Sequence, residues 1–196
     1  MTIVIATGNR HKAEEFSRIF SGHTIVLPTD RGIEFNPEES ASTFYGNALI
    51  KAKTLFELVG EPVIADDSGI CVDALDGEPG VFSARYGSSG GKELSAEDRN
   101  RLLLSRMEGI SNRTARFVCN MVLYLGPDRF VSVQETLEGT IVSGSGSGSG
   151  GFGYDPVLYL PEYGKTVAEL SDVQKDLVSH RGKAARKLEI FLNSEK

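Results

Sequence analysis

Residues 62–69 read Pro-Val-Ile-Ala-Asp-Asp-Ser-Gly, an apolar run that leads directly into two adjacent carboxylates. The short run rich in apolar residues predicts a buried strand over residues 62–65. Carboxylates at the carboxyl end of a strand in an α/β sheet lie where ligands usually bind, so Asp66 and Asp67 are candidate functional residues. Successive side chains of an extended chain point to opposite sides, so only one of the two faces a given cleft. A turn stabilised by Asp side chains is the alternative.

Upstream of this run, the pattern predicts a strand and two helices. The β-branched segment 2–6 predicts a strand, and a helix follows over residues 11–20. The second helix takes Ser42 or Thr43 as its cap and ends at Gly60, a typical C-terminal capping residue. The predicted order up to the Asp66-Asp67 pair is therefore strand, helix, helix and strand.

Downstream, a capping box at residues 95–98 predicts a helix to Met107. Alternating apolar residues over 114–125 and 130–137, joined by Gly-Pro-Asp, predict two strands of a hairpin, and a last helix is expected over 180–192. The hairpin requires antiparallel pairing, so we expect an α/β fold with a mixed sheet. Nothing marks a domain boundary, and residues 1–196 are expected to form one domain.

Composition excludes several classes of protein. Of 196 residues, 40% are hydrophobic and 24% charged, which is typical of a globular protein, and no window approaches a membrane helix. The start of the chain has no leader pattern, and Cys71 and Cys119 make neither a disulfide framework nor a zinc site, so a cytoplasmic location is expected. The net charge of −6 argues against broad nucleic-acid binding but allows a nucleotide held by local cations and a metal.

The segment after the first strand is a candidate anion site. A Gly-containing turn at a helix start exposes backbone N–H groups and the positive end of the helix dipole. Thr7, Asn9 and Lys12 could add donors to phosphate oxygens. The sequence contains no Gly-x-x-x-x-Gly-Lys-Ser/Thr motif, and an ordinary strand-to-helix turn is the alternative.

Two acidic pairs are candidate metal ligands. Mg²⁺ takes one or two carboxylates and leaves its other positions to water and phosphates. Asp66-Asp67 is one pair and Glu38-Glu39, just ahead of the second helix, is the other. Acidic residues also favour helix starts because of the dipole, so the second pair is weaker evidence.

Two further segments are candidates for recognising a ligand. In Gly150–Pro156 the glycines let backbone approach a flat ligand, Phe152 could stack on a base, and Pro156 holds Asp155 extended. A Gly-rich loop with a core Phe is the alternative, and the Ser-Gly run 143–151 by itself is typical of a flexible linker. Ser179 is a good helix cap, but the helix dipole disfavours basic residues in the first turn, so His180 and Arg181 are candidate functional residues. A solvated basic helix start is the alternative.

Taken together and in this order, these segments resemble the inosine/xanthosine triphosphate pyrophosphatase family. The resemblance spans residues 3 to about 190 and rests on seven motifs in register. These are Thr7-Gly8-Asn9 with Lys12; Thr43-Phe44 with Asn47-Ala48 and Lys51-Ala52; Ala65-Asp66-Asp67-Ser68-Gly69; Pro79-Gly80 with Ser83-Ala84-Arg85-Tyr86; Ala115-Arg116-Phe117 with Cys119; Gly150–Pro156; and Ser179-His180-Arg181. The family also has a Gly-rich loop before the same Phe-Gly-Tyr-Asp-Pro, which argues against the linker interpretation.

The resemblance implies a two-lobed α/β fold around a long mixed sheet, with helices packed on it, a cleft between the lobes, and a homodimer. It implies hydrolysis of non-standard purine nucleoside triphosphates to the monophosphate and pyrophosphate, with Mg²⁺ as cofactor. Glu39 and Asp67 are implied as Mg²⁺ ligands, and Asp67 also as the catalytic proton acceptor. The implied substrate-binding residues are Thr7, Gly8, Asn9, Arg10, His11, Lys12, Ser68, Phe152, Gly153, Tyr154, Asp155, Lys175, His180 and Arg181.

Three questions stay open at this stage. The family commonly has Glu where this chain has Gly46, which predicts weaker Mg²⁺ binding unless Glu38 compensates. A carboxylate that binds a metal is a weaker base, so Asp66 is the alternative proton acceptor to Asp67. A phosphatase that releases orthophosphate, and a sensor that binds nucleotide without hydrolysis, are the alternative functions.

Overall fold

The computed structural model describes residues 2–88 and 93–194. Strands and helices alternate in the first half of the chain, and successive strands followed by two helices form the second half. The elements in chain order are β1 (Thr2–Ile5), α1 (Arg10–Ile19), β2 (Thr24–Val26), α2 (Phe44–Val59), β3 (Val63–Val72), α3 (Ala96–Arg106), β4 (Thr114–Gly126), β5 (Arg129–Ile141), β6 (Leu158–Leu160), β7 (Lys165–Thr166), α4 (Asp172–Val178) and α5 (His180–Ser194). Short 3₁₀ helices lie between several of them. Within the described residues, no helix combines the length and apolar character that crossing a bilayer requires.

The strands form one mixed sheet in the order β2-β1-β3-β4-β5-β6-β7. β1 pairs in parallel with both β2 and β3, whereas β6 pairs antiparallel with both β5 and β7. In the β5–β6 ladder, Thr140 lies opposite Tyr159 and Ile141 opposite Leu158. The predicted mixed α/β sheet is therefore confirmed.

The chain divides into two compact units. Unit 1 comprises Met1–Asp67, Cys119–Glu135 and Ser179–Lys196, and unit 2 comprises Ser68–Val118 and Thr136–Val178. In unit 1 the alternation of each strand separates two cores: Ile5 and Ile64 pack with residues of α1 and α5, whereas Ala6 and Ala65 pack with residues of α2. Helices therefore cover both faces of this part of the sheet. The core of unit 2 collects residues of β3, α3, β4, β5 and β6.

Capping residues fix the helix starts that position the polar side chains. The Thr43 side chain accepts the N–H of Gly46 at 3.0 Å, and Gly60, with φ of 67°, ends α2 in the left-handed conformation. Both roles were predicted from the sequence. Ser95 caps α3 by accepting the N–H of Asp98 at 3.1 Å, which confirms the predicted helix start there.

The predicted end of the strand at residue 65 is wrong. β3 continues from Val63 to Val72, so Asp66 and Asp67 lie within the strand rather than at its carboxyl end or in a turn. Both carboxylates are buried, and basic side chains from other elements compensate their charges. Two acidic residues followed by Ser-Gly locally indicate the end of a strand. The strand continues because basic residues that are distant in sequence compensate the two charges.

Candidate functional site

The first turn of α1 is built by two of the residues predicted to grip phosphate. Thr7 Oγ1 accepts the N–H of Asn9 at 3.1 Å, and Asn9, the N-cap residue, accepts the N–H of Lys12 at 3.2 Å. Gly8 and His11 are exposed, and the exposed Arg10 pairs with Glu14 one turn on. An α-helix start of this kind leaves backbone N–H groups without intrahelical partners. The segment thus has the geometry of an anion site.

Asp66 lies at the centre of a buried network of four charges. Its carboxylate accepts from Lys12 Nζ at 3.0 and 3.1 Å, and from Arg181 Nε at 3.2 Å and Nη2 at 2.9 Å. Arg181 Nη1 donates to Glu15 Oε2 at 2.5 Å. The side chain of Asp66 is fully buried and that of Arg181 is 2% exposed. Two carboxylates and two cations therefore neutralise one another, and Lys12 is the member that is partly exposed.

This network decides the protonation state of Asp66. Burial by itself raises the pKa of a carboxyl group, but Lys12 and Arg181 more than offset it and hold the pKa of Asp66 well below its usual range. A carboxylate with so low a pKa is a weak base. Of the two proton acceptors that the sequence left open, Asp66 is therefore the less suitable.

Asp67 has different neighbours, all from the α2 side of the sheet. Its Oδ1 accepts from Lys51 Nζ at 3.1 Å and its Oδ2 from Asn47 Nδ2 at 3.3 Å. Lys51 Nζ also lies 2.8 Å from Glu39 Oε1, so one ammonium group bridges the two predicted metal ligands. The prediction that adjacent carboxylates face opposite sides is confirmed by these separate partners.

The electrostatics of Asp67 are the reverse of those of Asp66. Burial, with a contribution from the negative charge of Glu39, raises the pKa of Asp67 above its usual range despite the attraction of Lys51. Burial lowers the pKa of Lys51, but Asp67, Asp66 and Glu39 together raise it above its ordinary value, so it is a cation at neutral pH. A raised pKa makes Asp67 the stronger base of the two.

The donor set around Lys51 fits Mg²⁺. Glu39 and Asp67 offer the hard carboxylate oxygens that Mg²⁺ prefers, and the ammonium group between them shows that a cation is stable at that position. Among the described residues no three His, Cys, Asp or Glu side chains converge on one point. Two carboxylates suffice for an ion whose remaining ligands come from water and phosphate. Glu38, named above as the alternative that would compensate for Gly46, is exposed.

The glycine at position 46 is required by local packing. A Cβ at position 46 would lie 2.5 Å from the Cβ of Ala41, so the usual Glu of the family would displace that residue. Asn47, the next residue, accepts the N–H of Ala41 at 2.9 Å while donating to Asp67. Gly46 therefore allows the segment that carries Glu39 to lie close to α2.

A second polar cluster lies in unit 2, around Lys175. Its Nζ is 2.7 Å from Asp155 Oδ2 and 4.8 Å from the centre of the Phe152 ring. Asp155 Oδ2 also accepts the N–H of Phe152 at 2.7 Å, and Asn100 Nδ2 donates to Gly153 O at 3.0 Å. The structure thus brings together four of the predicted substrate residues of this unit: Phe152, Gly153, Asp155 and Lys175.

The remaining predicted residues have distinct surroundings. Tyr154 is buried and its hydroxyl donates to Ser83 O at 2.9 Å, and Ser68 lies half-buried in β3. His180 and Arg181 are buried at the start of α5, which excludes the solvated helix start that the sequence left open. Ser179 caps that helix as predicted, since its Oγ accepts the N–H of Gly182 at 3.0 Å. The expected role of Arg181 in reading a base stays a prediction, because its described partners are Asp66 and Glu15.

The Ser-Gly run is a surface loop between β5 and β6 that several hydrogen bonds hold. Ser147 N–H donates to Pro156 O at 3.1 Å, Thr166 Oγ1 donates to Ser147 O at 2.8 Å, and Gly150 N–H donates to Ala168 O at 3.1 Å. A Cβ at position 146 would lie 2.5 Å from Pro156 O. A glycine there is thus a packing requirement, and the linker interpretation does not hold.

Sequence reasoning assigned no role to Asn47, Lys51 or Glu15. Asn47 and Lys51 are four residues apart in α2 and lie on the same buried stripe as Ala48 and Ala52. Polar side chains on the apolar stripe of a helix are the signal that could have identified them, because a buried amide or ammonium group needs a partner. Glu15, buried beside Phe16 in α1, carries the same signal.

Comparison with known proteins identifies relatives over nearly the whole chain. A model of the Ham1 family matches residues 3–191. A dITP/XTP pyrophosphatase of Treponema denticola is 53% identical over 195 residues, which cover 98% of each chain. Among solved structures, the Ham1 protein of Staphylococcus aureus is 38% identical with a TM-score of 0.87 over 100% of both chains. A HAM1 protein from Coxiella burnetii is 34% identical with a TM-score of 0.88 over 99% of both. The family resemblance of the sequence motifs is confirmed.

Proposed function

We propose that this chain, which belongs to the Ham1 family, hydrolyses non-standard purine nucleoside triphosphates (inosine, deoxyinosine and xanthosine triphosphates) to the monophosphate and pyrophosphate. The observation that carries the proposal is the 53% identity, over 98% of both chains, to a dITP/XTP pyrophosphatase. Such an enzyme is a hydrolase of acid anhydrides that removes these nucleotides from the nucleotide pool.

The proposed reaction is attack of water on the α-phosphorus. A bond forms between the water oxygen and the α-phosphorus. The bond between the α-phosphorus and the oxygen that bridges it to the β-phosphate breaks, and pyrophosphate leaves. Asp67 is the proposed proton acceptor because Lys12 and Arg181 already hold the carboxylate of Asp66; with Mg²⁺ bound, which lowers the basicity of Asp67, its role would be chiefly to position the attacking water. Mg²⁺, held by Glu39 and Asp67, would supply charge neutralisation on the phosphate oxygens.

The triphosphate is proposed to bind at the start of α1. The N–H groups of this helix start and the ammonium group of Lys12 offer donors to phosphate oxygens. Lys12 is bound to Asp66 on one side, which fixes its Nζ with a side chain that is only 14% exposed. A preorganised cation loses little side-chain entropy when the substrate arrives.

Base recognition is proposed to use Phe152 as a stacking surface, with His180 or Arg181 donating to the 6-oxo group of hypoxanthine or xanthine. Adenine has an amino group at this position and would leave the donor unpaired, at a cost of about 1–3 kcal/mol. Arg181→Lys, which keeps a cation beside Asp66, is expected to reduce the preference for inosine over adenosine triphosphate more than it reduces turnover. Unchanged selectivity in a folded variant would refute the role.

One assay tests the reaction and the substrate class together. Inosine triphosphate is incubated with the protein with and without Mg²⁺, pyrophosphate and orthophosphate are measured separately, and adenosine and guanosine triphosphates are run in parallel. We expect Mg²⁺-dependent release of pyrophosphate, fastest with inosine triphosphate. Release of orthophosphate would identify a phosphatase, and tight binding without turnover would identify a nucleotide sensor.

The assembly and the location are further proposals from the family. A homodimer is expected, and sedimentation of the purified chain tests it, since a species of twice the mass of 21.2 kDa supports the dimer and a monomer contradicts it. A cytoplasmic location is proposed because the substrate class is drawn from the nucleotide pool; fractionation of cells tests it.

A further inference from the structure

Lys51 has an unusual position for a lysine. It is 7% exposed, it projects from the middle of α2, and its ammonium group contacts two carboxylates that come from different segments of unit 1. Nζ lies 2.8 Å from Glu39 Oε1 and 3.1 Å from Asp67 Oδ1. The reaction proposed above gives Lys51 no role.

The ammonium group of Lys51 lies between two carboxylates, as a bound metal cation would. Two carboxylates that approach the same point repel each other unless a positive charge lies between them. Glu39 lies in the irregular segment 33–41, and its contact with Lys51 ties that segment to β3 through a charge-assisted hydrogen bond on each side of the ammonium group. The ammonium group thus holds the two oxygens at the position where a metal ligand pair is needed.

The charges around Lys51 do not balance. One ammonium group faces two carboxylates, so this cluster keeps one net negative charge, whereas the network around Asp66 pairs two carboxylates with two cations. A divalent ion at the same position would balance both carboxylates. The cluster is therefore matched to a charge of two, of which Lys51 supplies one.

We propose that Lys51 is a positioning residue whose ammonium group substitutes for the divalent ion before substrate arrives and competes with that ion for Glu39 and Asp67. The inference rests on the proposed metal site and adds to it the expectation that Mg²⁺ alone binds weakly. When a triphosphate enters with the ion, phosphate oxygens offer the displaced ammonium group new acceptors, so that metal and nucleotide bind together.

Competition has a consequence that a purely structural role does not share. If Lys51 only supported the fold, its removal would let the two carboxylates separate and would weaken the binding of free Mg²⁺. If Lys51 competes, removal of its charge leaves the carboxylates to the ion, and the binding of free Mg²⁺ becomes tighter. Turnover falls in both cases, so binding of the metal alone is the measurement that separates them.

The test is calorimetric titration of the nucleotide-free protein with Mg²⁺. Lys51→Met is compared with the wild type and with Lys53→Met, a matched control in which an exposed lysine of the same helix is changed. We expect the dissociation constant of Mg²⁺ to fall about tenfold or more in Lys51→Met, since a positive charge within contact distance is removed. Lys53→Met is expected to bind Mg²⁺ as the wild type does.

Two further variants complete the design. Adding Glu39→Gln to Lys51→Met is expected to abolish the gain, which assigns it to this pair of carboxylates. Lys51→Gln carries the same expectation where Lys51→Met does not fold. Equal or weaker binding of Mg²⁺ in the folded Lys51 variants overturns the inference. Because no nucleotide is present, this outcome is independent of whether the wild type hydrolyses inosine triphosphate.

Discussion

Asp66 and Asp67 are consecutive residues of one strand, yet the pKa values of their carboxyl groups are shifted in opposite directions. Asp66 is neutralised by Lys12 and Arg181 and has a depressed pKa, whereas Asp67 keeps a raised pKa beside Lys51. The side chains diverge because a strand alternates its faces, and each face is covered by different helices. The difference teaches that two adjacent acidic residues can have opposite electrostatic surroundings, which fits a structural role for Asp66 and the proposed catalytic role for Asp67.

The largest expected effect is on turnover, and it concerns Asp67. Asp67→Asn is expected to lower kcat for inosine triphosphate by about 10³-fold or more, since it removes both the proton acceptor and a metal ligand. The free energy of unfolding should change by only about 1 kcal/mol, because Lys51 keeps the carboxylate of Glu39 as its charged partner. Steady-state kinetics and urea unfolding measure the two effects, and near-normal turnover would remove Asp67 from the mechanism.

The next largest effect is on stability, and it concerns Asp66. Asp66→Asn leaves the buried charges of Lys12 and Arg181 without their shared partner, and breaking a buried pair in this way costs about 3–5 kcal/mol. Urea unfolding of Asp66→Asn and Asp67→Asn side by side measures the contrast. Equal losses of unfolding free energy in the two variants would contradict these different roles.

The outer carboxylate of each cluster gives a smaller, matched comparison. Glu15→Gln weakens the buried contact with Arg181 and is expected to cost about 2 kcal/mol of unfolding free energy, with less effect on turnover. Glu39→Gln, whose side chain is 30% exposed, should affect turnover at low Mg²⁺ more than stability. Chemical unfolding and the Mg²⁺ dependence of turnover check both, and the reverse ranking would argue that the two clusters have been assigned the wrong way round.

The smallest expected effect is a difference in pH dependence. An unfolded aspartate has a pKa of about 3.9, and that of Asp66 is lower in the folded protein. Between the two values the unfolded chain binds more protons, so the contribution of Asp66 is complete above about pH 5 and is lost as the pH falls below about 4. For Asp67 the folded pKa is raised, so the folded protein binds more protons between about pH 3.9 and that higher pKa, and the contribution of Asp67 to stability falls as the pH rises through this range.

Unfolding in a chelator at several pH values measures this difference. The gap in unfolding free energy between wild type and Asp66→Asn should shrink by about 1 kcal/mol between pH 5 and pH 3.5. The gap for Asp67→Asn should not shrink. Parallel pH profiles for the two variants would show that the two carboxylates do not differ in their folded pKa.

Local signals predicted much of the fold. The helix caps Thr43, Gly60, Ser95 and Ser179 have the predicted roles, because capping depends on residues within one turn. The extension of β3 through the two aspartates was missed, since local propensity opposes acidic residues in a strand and only their distant partners compensate. The short strands β2 and β7 were also missed, because two or three residues show no measurable periodicity.

In the candidate site, too, the sequence predicted some features and missed others. The family motifs indicated most of the polar residues, and the structure brings Glu39 to Asp67 and Lys175 to Asp155 and Phe152. The sequence did not predict that Lys51 bridges Glu39 and Asp67, or that Arg181 pairs with Asp66 and Glu15. Each of these contacts joins elements that are separate along the chain, so no spacing rule could indicate them.

The sequence by itself determined the family, the mixed α/β class and the identity of the polar groups, because these depend on motifs and on periods of two or 3.6 residues. Only the tertiary structure decided which basic side chain pairs with which carboxylate. Lys12 and Arg181 reach Asp66 across 54 and 115 residues, and Lys51 reaches Asp67 across 16. The order of strands in the sheet sets these encounters, and burial then makes each one strong enough to give two neighbouring aspartates opposite chemistry.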